Sequence, residues 1–182
     1  GAGCGRLRLV GGSCSGDGGG VFNDGVSRSL TYGILSGNTA SGNGGGIGAF
    51  SGTISISSST IRNNIAAGAG GGFYNNAPGA TFILTNGTVV GGTAGQGNQA
   101  ASGGGLANYA GTFTMTDGSL SRNTATGGAT PVGGGIYAPA GTITLTGINA
   151  EGNTATGGTP FGGFLHRNGG STVTISLSRI VG

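Results

Sequence analysis

The chain has 182 residues, of which 48 are glycine and only 6% are charged. Seven arginines, no lysine and four acids give a formal net charge of +3, and these scattered charges exclude the dense basic stripe that nucleic-acid binding needs. The glycines do not recur at every third position, which excludes a collagen helix. The sequence has no run of about 18 apolar residues, so we expect no membrane insertion of this segment.

The first segment, residues 1–15, is predicted to be a partial coil and carries both cysteines, Cys4 and Cys14. A single pair without the spacing of a metal site predicts a possible disulfide in an oxidising compartment; two free thiols packed as small apolar groups are the alternative. The chain begins at Gly1 without a methionine or a signal peptide, so we expect a trimmed product of a longer chain.

A Gly-Gly-Gly-apolar motif then recurs, for example at Gly44–Ile47 and Gly133–Ile136, with a degenerate last copy at Gly162–Leu165. A unit of roughly 30 residues cannot bury its own apolar face, so it must stack on its neighbours as a solenoid. Composition alone is also typical of a disordered linker, but each unit repeats a regular apolar pattern. The predicted coils are 16–41, 42–67, 68–101, 102–131, 132–160 and 161–182.

Within each unit, strict alternation of apolar and polar residues predicts a strand with one buried face. Phe113 and Met115 are expected to point inward in the fourth unit, as are Ile143 and Leu145 in the fifth. The corresponding inward residues of the other units are Ile54 and Ile56, Phe82 and Leu84, Val173 and Ile175, and, more loosely, Leu30 and Tyr32.

A third segment places an apolar residue three positions before an asparagine, as in Leu35 before Asn38. Stacked asparagines form hydrogen bonds from coil to coil and tolerate the left-handed backbone that a corner needs. In the third unit Val89 occupies the apolar position, but Gly92 stands where the asparagine is expected. Insertions are expected mostly after the asparagine, the longest at 95–102. The predicted ladder consists of Asn38, Asn64, Asn123 and Asn153.

These patterns predict an all-β fold, a right-handed parallel β-helix of about six coils with three short strands each. The handedness follows the general rule for parallel crossovers. At about 4.8 Å per coil, the stack is about 30 Å long.

The Gly-Gly-Gly-Ile motif, the Thr-x-Thr strand and the Asn-Thr-Ala corner resemble the secreted right-handed β-helix repeat proteins of bacteria. Among these proteins, the chain resembles polymorphic outer membrane protein repeats, whose hallmark is Gly-Gly-Ala-Ile with Phe-x-x-Asn. The resemblance covers residues 16–182. This chain differs in two motif positions: glycine replaces the alanine of Gly-Gly-Ala-Ile, and leucine or isoleucine replaces the phenylalanine of Phe-x-x-Asn. The resemblance implies a segment that is secreted or on the cell surface, has a structural or adhesive role and could contact surface glycans. It implies no catalytic residue.

Polysaccharide-binding or polysaccharide-degrading β-helices are an alternative, and the enzymes among them need clustered acids. Asp117 and Glu151 occupy different positions of different coils, and Asp17 and Asp24 share a coil but flank a glycine corner, so we expect no enzyme, no metal and no cofactor. His166 is expected to be a surface residue, and Tyr74 and Tyr137 to point outward, although two rings are too few to predict a sugar-binding groove.

Outward threonines predict a second possible surface, which resembles the Thr-x-Thr faces of ice-binding solenoids. Threonine is also simply a good outward strand residue, and Ile83 interrupts the pattern. The predicted face consists of Thr112, Thr114, Thr116, Thr142, Thr144, Thr146, Thr172 and Thr174.

No capping helix is predicted at either end, and end coils expose unpaired strand groups. The chain is therefore expected to be extracellular or on the cell surface, either as a passenger segment or as a subunit that pairs end to end with other copies into a filament.

Overall fold

The computed structural model describes residues 8–127 and 129–182, and every regular element in them is a β-strand. The strands form three sheets in which all pairing is parallel, and each strand pairs with its equivalent one coil away. The chain is thus a parallel β-solenoid of about six coils, which confirms the predicted all-β fold. Cys4 lies outside the described residues, and so does Gly128.

Two of the sheets consist of strands of two or three residues. In chain-order numbering, sheet A contains β1 (Arg8–Val10), β5 (Ile34–Ser36), β9 (Thr60–Arg62), β13 (Val89–Gly91), β17 (Ser119–Ser121), β20 (Asn149–Glu151) and β23 (Arg179–Val181). Sheet B contains β2 (Ser13–Cys14), β6 (Thr39–Ala40), β10 (Ile65–Ala66), β14 (Gln99–Ala100), β18 (Thr124–Ala125) and β21 (Thr154–Ala155).

Sheet C has longer strands, which are split in two in the first four coils. Its first half contains β3 (Val21–Asn23), β7 (Ile47–Ala49), β11 (Phe73–Asn75) and β15 (Leu106–Asn108). Its second half contains β4 (Arg28–Thr31), β8 (Gly52–Ser57), β12 (Ala80–Thr85) and β16 (Thr112–Thr116). The last two coils join the halves in β19 (Ile136–Thr146) and β22 (Leu165–Ser176).

The split in sheet C is held by a set of buried asparagines at the ends of β3, β11 and β15. The side-chain amide of Asn23 donates to the carbonyl oxygens of Val26 and Ser51, which belong to its own coil and the next. Asn75 and Asn108 donate across coils in the same way. These bonds satisfy carbonyl groups that the interrupted strand leaves without ladder partners.

Alternation along sheet C builds the core. Phe113, Met115, Ile143 and Leu145 are all 0% exposed, as the sequence predicts, and Phe82 packs edge-on to Phe73 with ring centroids 5.1 Å apart. In the final coil the pattern weakens, and Ile175 is 38% exposed. The core is therefore a narrow apolar column that runs through the coils.

Tyr32 does not follow the inward pattern, and that prediction is wrong. It is 58% exposed with φ 53°, at the corner where the chain leaves sheet C for sheet A. The inward positions of β4 are Arg28 and Leu30, which pair with Ile54 and Ile56. Alternation ends at Leu30 because the next corner needs a left-handed residue, as it also does at Ser58 and Asp117.

The glycine triplets meet three separate demands, as Gly70, Gly71 and Gly72 show. Gly70 has φ +72°, which disfavours residues with a side chain. A Cβ on Gly71 would lie within 2.6 Å of the backbone of Gln99, one full turn further along the chain, and one on Gly72 would lie 2.6 Å from the Gly105 carbonyl oxygen of the next coil. The triplet therefore provides one turn and two close approaches between coils.

Candidate functional site

A buried asparagine ladder runs along the corner between sheets A and B. In every rung before Asn153, the side-chain amide donates to the Oδ1 of the asparagine in the next coil at 2.9–3.0 Å. All five amides donate to a backbone carbonyl of the preceding coil. Each Oδ1 also accepts a backbone N–H of the preceding coil. The ladder consists of Asn38, Asn64, Asn98, Asn123 and Asn153.

Several sequence-based expectations about this corner are wrong. The third coil does not lack its asparagine, because Asn98 occupies the position, and the inward apolar residue there is Val90 rather than Val89. The left-handed residue is also not the ladder asparagine but the residue before it, as Asn63 (φ 54°) and Arg122 (φ 58°) show.

The reason for the missed asparagine is a single long insertion. In the other coils one residue separates the sheet A strand from the ladder asparagine, whereas residues 92–97 separate them in the third coil. The insertion precedes the asparagine, not follows it as expected. The backbone N–H of Asn63 donates to the Gln96 carbonyl, and the N–H of Gly92 to that of Ser121, so both neighbouring coils hold the insertion in place.

Outward residues of the second half of sheet C form three ranks of hydroxyl groups in register over the coils, and we call this surface the hydroxyl face. Register pairs Thr112 with Thr142 and Thr172, and extends backward from Thr112 to Thr81 and Thr53. The middle rank is Ser29, Ser55, Ile83, Thr114, Thr144 and Thr174. The third is Thr31, Ser57, Thr85, Thr116, Thr146 and Ser176.

All eight threonines proposed from the sequence lie on this face, which extends further than the sequence analysis placed it. The first three coils were not predicted to belong to the face because serine replaces some of the threonines in the first two coils and Ile83 separates Thr81 from Thr85 in the third. Among the paired residues of the three ranks, only Ile83 lacks a hydroxyl group, and it is 37% exposed. No charged side chain occupies a position in the three ranks. The face therefore offers neutral hydrogen-bonding groups at two regular spacings, every second residue along a strand and every coil across the strands.

A row of aromatic rings along the outside of the first half of sheet C, which we call the aromatic ladder, was not predicted. The outward position of this strand carries Phe22, Gly48, Tyr74, Ala107, Tyr137 and His166 in successive coils. Where it carries Gly48 or Ala107, the residue two positions later supplies the ring instead. The ladder therefore consists of Phe22, Phe50, Tyr74, Tyr109, Tyr137 and His166, with Phe161 beside His166.

Neighbouring rings of the aromatic ladder have centroids 5.4–6.0 Å apart, which is the range of favourable aromatic pairs. Tyr74 is only 7% exposed, and burial raises its pKa to about 12, with smaller contributions from Tyr109 and Asp17. Burial likewise raises the pKa of Tyr109. The ladder is thus a partly desolvated seam that favours neutral phenols.

The acids lie in separate surroundings. Asp17 accepts two hydrogen bonds from Asn43, and Asp24 accepts one from Ser51. Glu151 forms an ion pair with Arg122 at 2.8 Å. Residues 8–127 and 129–182 contain no group of three or more His, Cys, Asp or Glu side chains that could hold a metal ion.

The possible disulfide between Cys4 and Cys14 stays a prediction, because Cys4 is outside the described residues. The half-buried Cys14 accepts the backbone N–H of Gly16 through its Sγ at 3.3 Å. In the described part of the chain, no helix is long and apolar enough to cross a membrane.

Comparisons with protein-family models, with curated proteins and with solved structures return no match to this chain.

Proposed function

We propose that the chain is a segment of an extracellular adhesive β-solenoid that contacts its target through the hydroxyl face. The observation that carries this proposal is the register of the three ranks. The same neutral side chains recur at a spacing of about 4.8 Å between coils and about 6.8 Å along the strand. A repeated array suits a repeated target, because many weak contacts form together without any single strong one.

The target that fits is a surface dense in hydroxyl groups, such as a surface glycan layer. Serine and threonine hydroxyl groups both donate and accept hydrogen bonds, as sugar hydroxyl groups do. The ranks carry no charge, so adsorption is expected to depend little on salt, unlike adsorption by ionic contacts.

The test is adsorption of the purified chain to insoluble cellulose and chitin. Thr144→Lys places a long charged side chain in the middle rank and is expected to abolish most adsorption. Thr154→Lys makes the same change on exposed Thr154 of sheet B and is expected to adsorb like the wild type. Equal adsorption by both variants would overturn the proposal.

Ice is a second candidate target, favoured by the extension of the ranks across the paired strands of sheet C. If ice is the target, the wild type slows ice growth and produces thermal hysteresis, which Thr144→Lys removes. Absence of hysteresis in the wild type would exclude this candidate and leave glycan adhesion untouched.

Assembly of copies end to end remains part of the proposal. The described coils pair in parallel with their neighbours through all three sheets, so a further copy would extend the stack by the same pairing. Electron microscopy across a concentration range tests this: fibres that lengthen with concentration support assembly, and discrete particles at every concentration contradict it.

A further inference from the structure

The insertion in the third coil turns one part of sheet A into a groove. Its floor is formed by outward residues of β9, β13, β17 and β20, including Thr60, Val89 and Ser119, and its wall by Thr93 and Gln96. The groove has a volume of about 520 Å³, which is in the range of small-molecule sites.

The wall of the groove is preformed. Asn63 and Ser121 bind the insertion from the two neighbouring coils through backbone hydrogen bonds. A Cβ on Gly97 would collide with the carbonyl oxygen of Arg122, and a Cβ on Gly91 with that of Ser121, so both glycines allow the insertion to pack tightly on the next coil. A ligand would therefore meet a site that needs little ordering.

Three successive coils contribute polar groups to the groove. Arg62 lines it from the coil before the insertion, and Ser119 and Ser121 line it from the coil after. Gly91 pairs with Ser121 and lets the two coils approach closely. The Ser119 and Ser121 hydroxyl groups lie 2.9 Å apart.

The charges of the groove leave one cation unneutralised. Arg122 and Glu151 balance each other in an ion pair. Arg62 makes no ion pair with any described residue, and its Nε is buried without a hydrogen-bond partner. Because Arg62 lines the groove, an anion bound there would neutralise this charge.

We propose that this groove binds an acidic sugar, whose carboxylate or sulfate is held by Arg62 and whose hydroxyl groups bind Ser119, Ser121 and Gln96. One free guanidinium suits a single negative charge, and the hydroxyl and amide groups around it suit a polyol. The proposal is independent of the hydroxyl face, since the groove lies on sheet A.

The experiment is calorimetric titration of the full chain with trigalacturonate, its methyl ester, a sulfated trisaccharide and inorganic sulfate. We expect the acidic trisaccharide to bind and the ester to bind at least tenfold more weakly. Tighter binding of the sulfated sugar would assign sulfate as the anion. Binding of inorganic sulfate as tight as that of either sugar, or no binding by any ligand, would overturn the proposal.

Three variants locate the site. Arg62→Gln removes the free charge and is expected to weaken binding about tenfold, whereas Glu151→Gln releases Arg122 and is expected to tighten it severalfold. Arg167→Gln makes the same charge change at an exposed arginine of the final coil, outside the groove, and is expected to have no effect. An equal loss for Arg62→Gln and Arg167→Gln would overturn the assignment.

A shortened chain tests the wall. Replacement of residues 92–97 by a single asparagine restores the corner length of the other coils and keeps Asn98 in its ladder. Thermal unfolding monitored by circular dichroism shows whether this variant folds. A folded variant that binds trigalacturonate like the wild type would contradict the role of the insertion, and loss of binding with adsorption to cellulose retained would support it.

Discussion

The asparagine ladder and the aromatic ladder both run the length of the described coils, yet they tolerate sequence change very differently. Every described rung of the first is an asparagine at one structural position, buried to 6% exposure or less. The second draws its rings from two positions and mixes Phe, Tyr and His.

The difference follows from the physics of the two contacts. A buried amide must place one acceptor and two donors on three fixed partners, and no other side chain does so in that space. Ring packing is nearly non-directional by comparison, so a ring that arrives from two residues downstream serves as well. Interior hydrogen bonding therefore fixes residue identity, whereas outer packing fixes only that a ring is present.

The largest expected effect is loss of a central asparagine. Asn64→Ala removes the acceptor of Asn38 and the donor to the Leu35 carbonyl, and leaves buried polar groups unpaired on both sides. We expect the free energy of unfolding in urea to fall by about 3 kcal/mol or more. Asn149→Ala, on the outer face of sheet A, is the control and should change it by less than about 0.5 kcal/mol. Similar losses for the two variants would show that the ladder is not a special source of stability.

The next effect tests whether rings are exchangeable between positions. Tyr109→Ala removes a ring that is 38% exposed, and we expect it to cost about 2 kcal/mol. Adding Ala107→Tyr returns a ring to the same coil from the strand position used by Tyr74 and Tyr137. The double variant should recover most of the loss in thermal unfolding; no recovery would mean that the position of the ring matters after all.

A smaller effect is expected at alkaline pH. Because burial raises the pKa of Tyr74 to about 12, the folded state keeps its phenol proton at pH values where the unfolded chain has lost it. Stability is thus complete below about pH 10 and falls as pH rises towards 12. Tyr74→Phe should flatten this decline in denaturation curves measured from pH 9 to 12. Phe22→Leu removes a ladder ring but no phenol, and should leave the slope as in the wild type; an unchanged slope in Tyr74→Phe would contradict the desolvation of this seam.

The smallest change in stability is expected on the hydroxyl face, where neither amide geometry nor ring packing is involved. Ile83→Thr completes the middle rank at a position that is 37% exposed. We expect less than about 0.5 kcal/mol of change in unfolding and stronger adsorption to cellulose. Weaker adsorption would show that Ile83 contributes contact rather than interrupting it.

The same contrast explains what could be predicted from sequence. Strict alternation and the fixed asparagine spacing predicted the solenoid, the inward pairs such as Phe113 and Met115, and four of the ladder residues. Asn98 was missed because the six inserted residues displace it from the expected spacing. Tyr32 was placed inward because alternation continues across a corner that only backbone conformation reveals.

The aromatic ladder and the groove were harder to predict because they arise from stacking. The aromatic ladder has no single periodic position, so two tyrosines alone did not indicate it. The groove depends on an insertion in one coil, on close packing of Gly91 against the next coil and on an arginine from the preceding coil. None of these is a motif in sequence, and only register brings them together.

The most direct test of the central claim is a lysine scan around a single coil, read by adsorption to insoluble cellulose and chitin. Thr144, Tyr137, Asn149 and Thr154 lie in the fifth coil and represent the hydroxyl face, the aromatic ladder, sheet A and sheet B. Each is changed to lysine in turn, with folding verified by circular dichroism. The account predicts that Thr144→Lys alone abolishes adsorption. Retained adsorption in Thr144→Lys, or an equal loss at any other face, would contradict it.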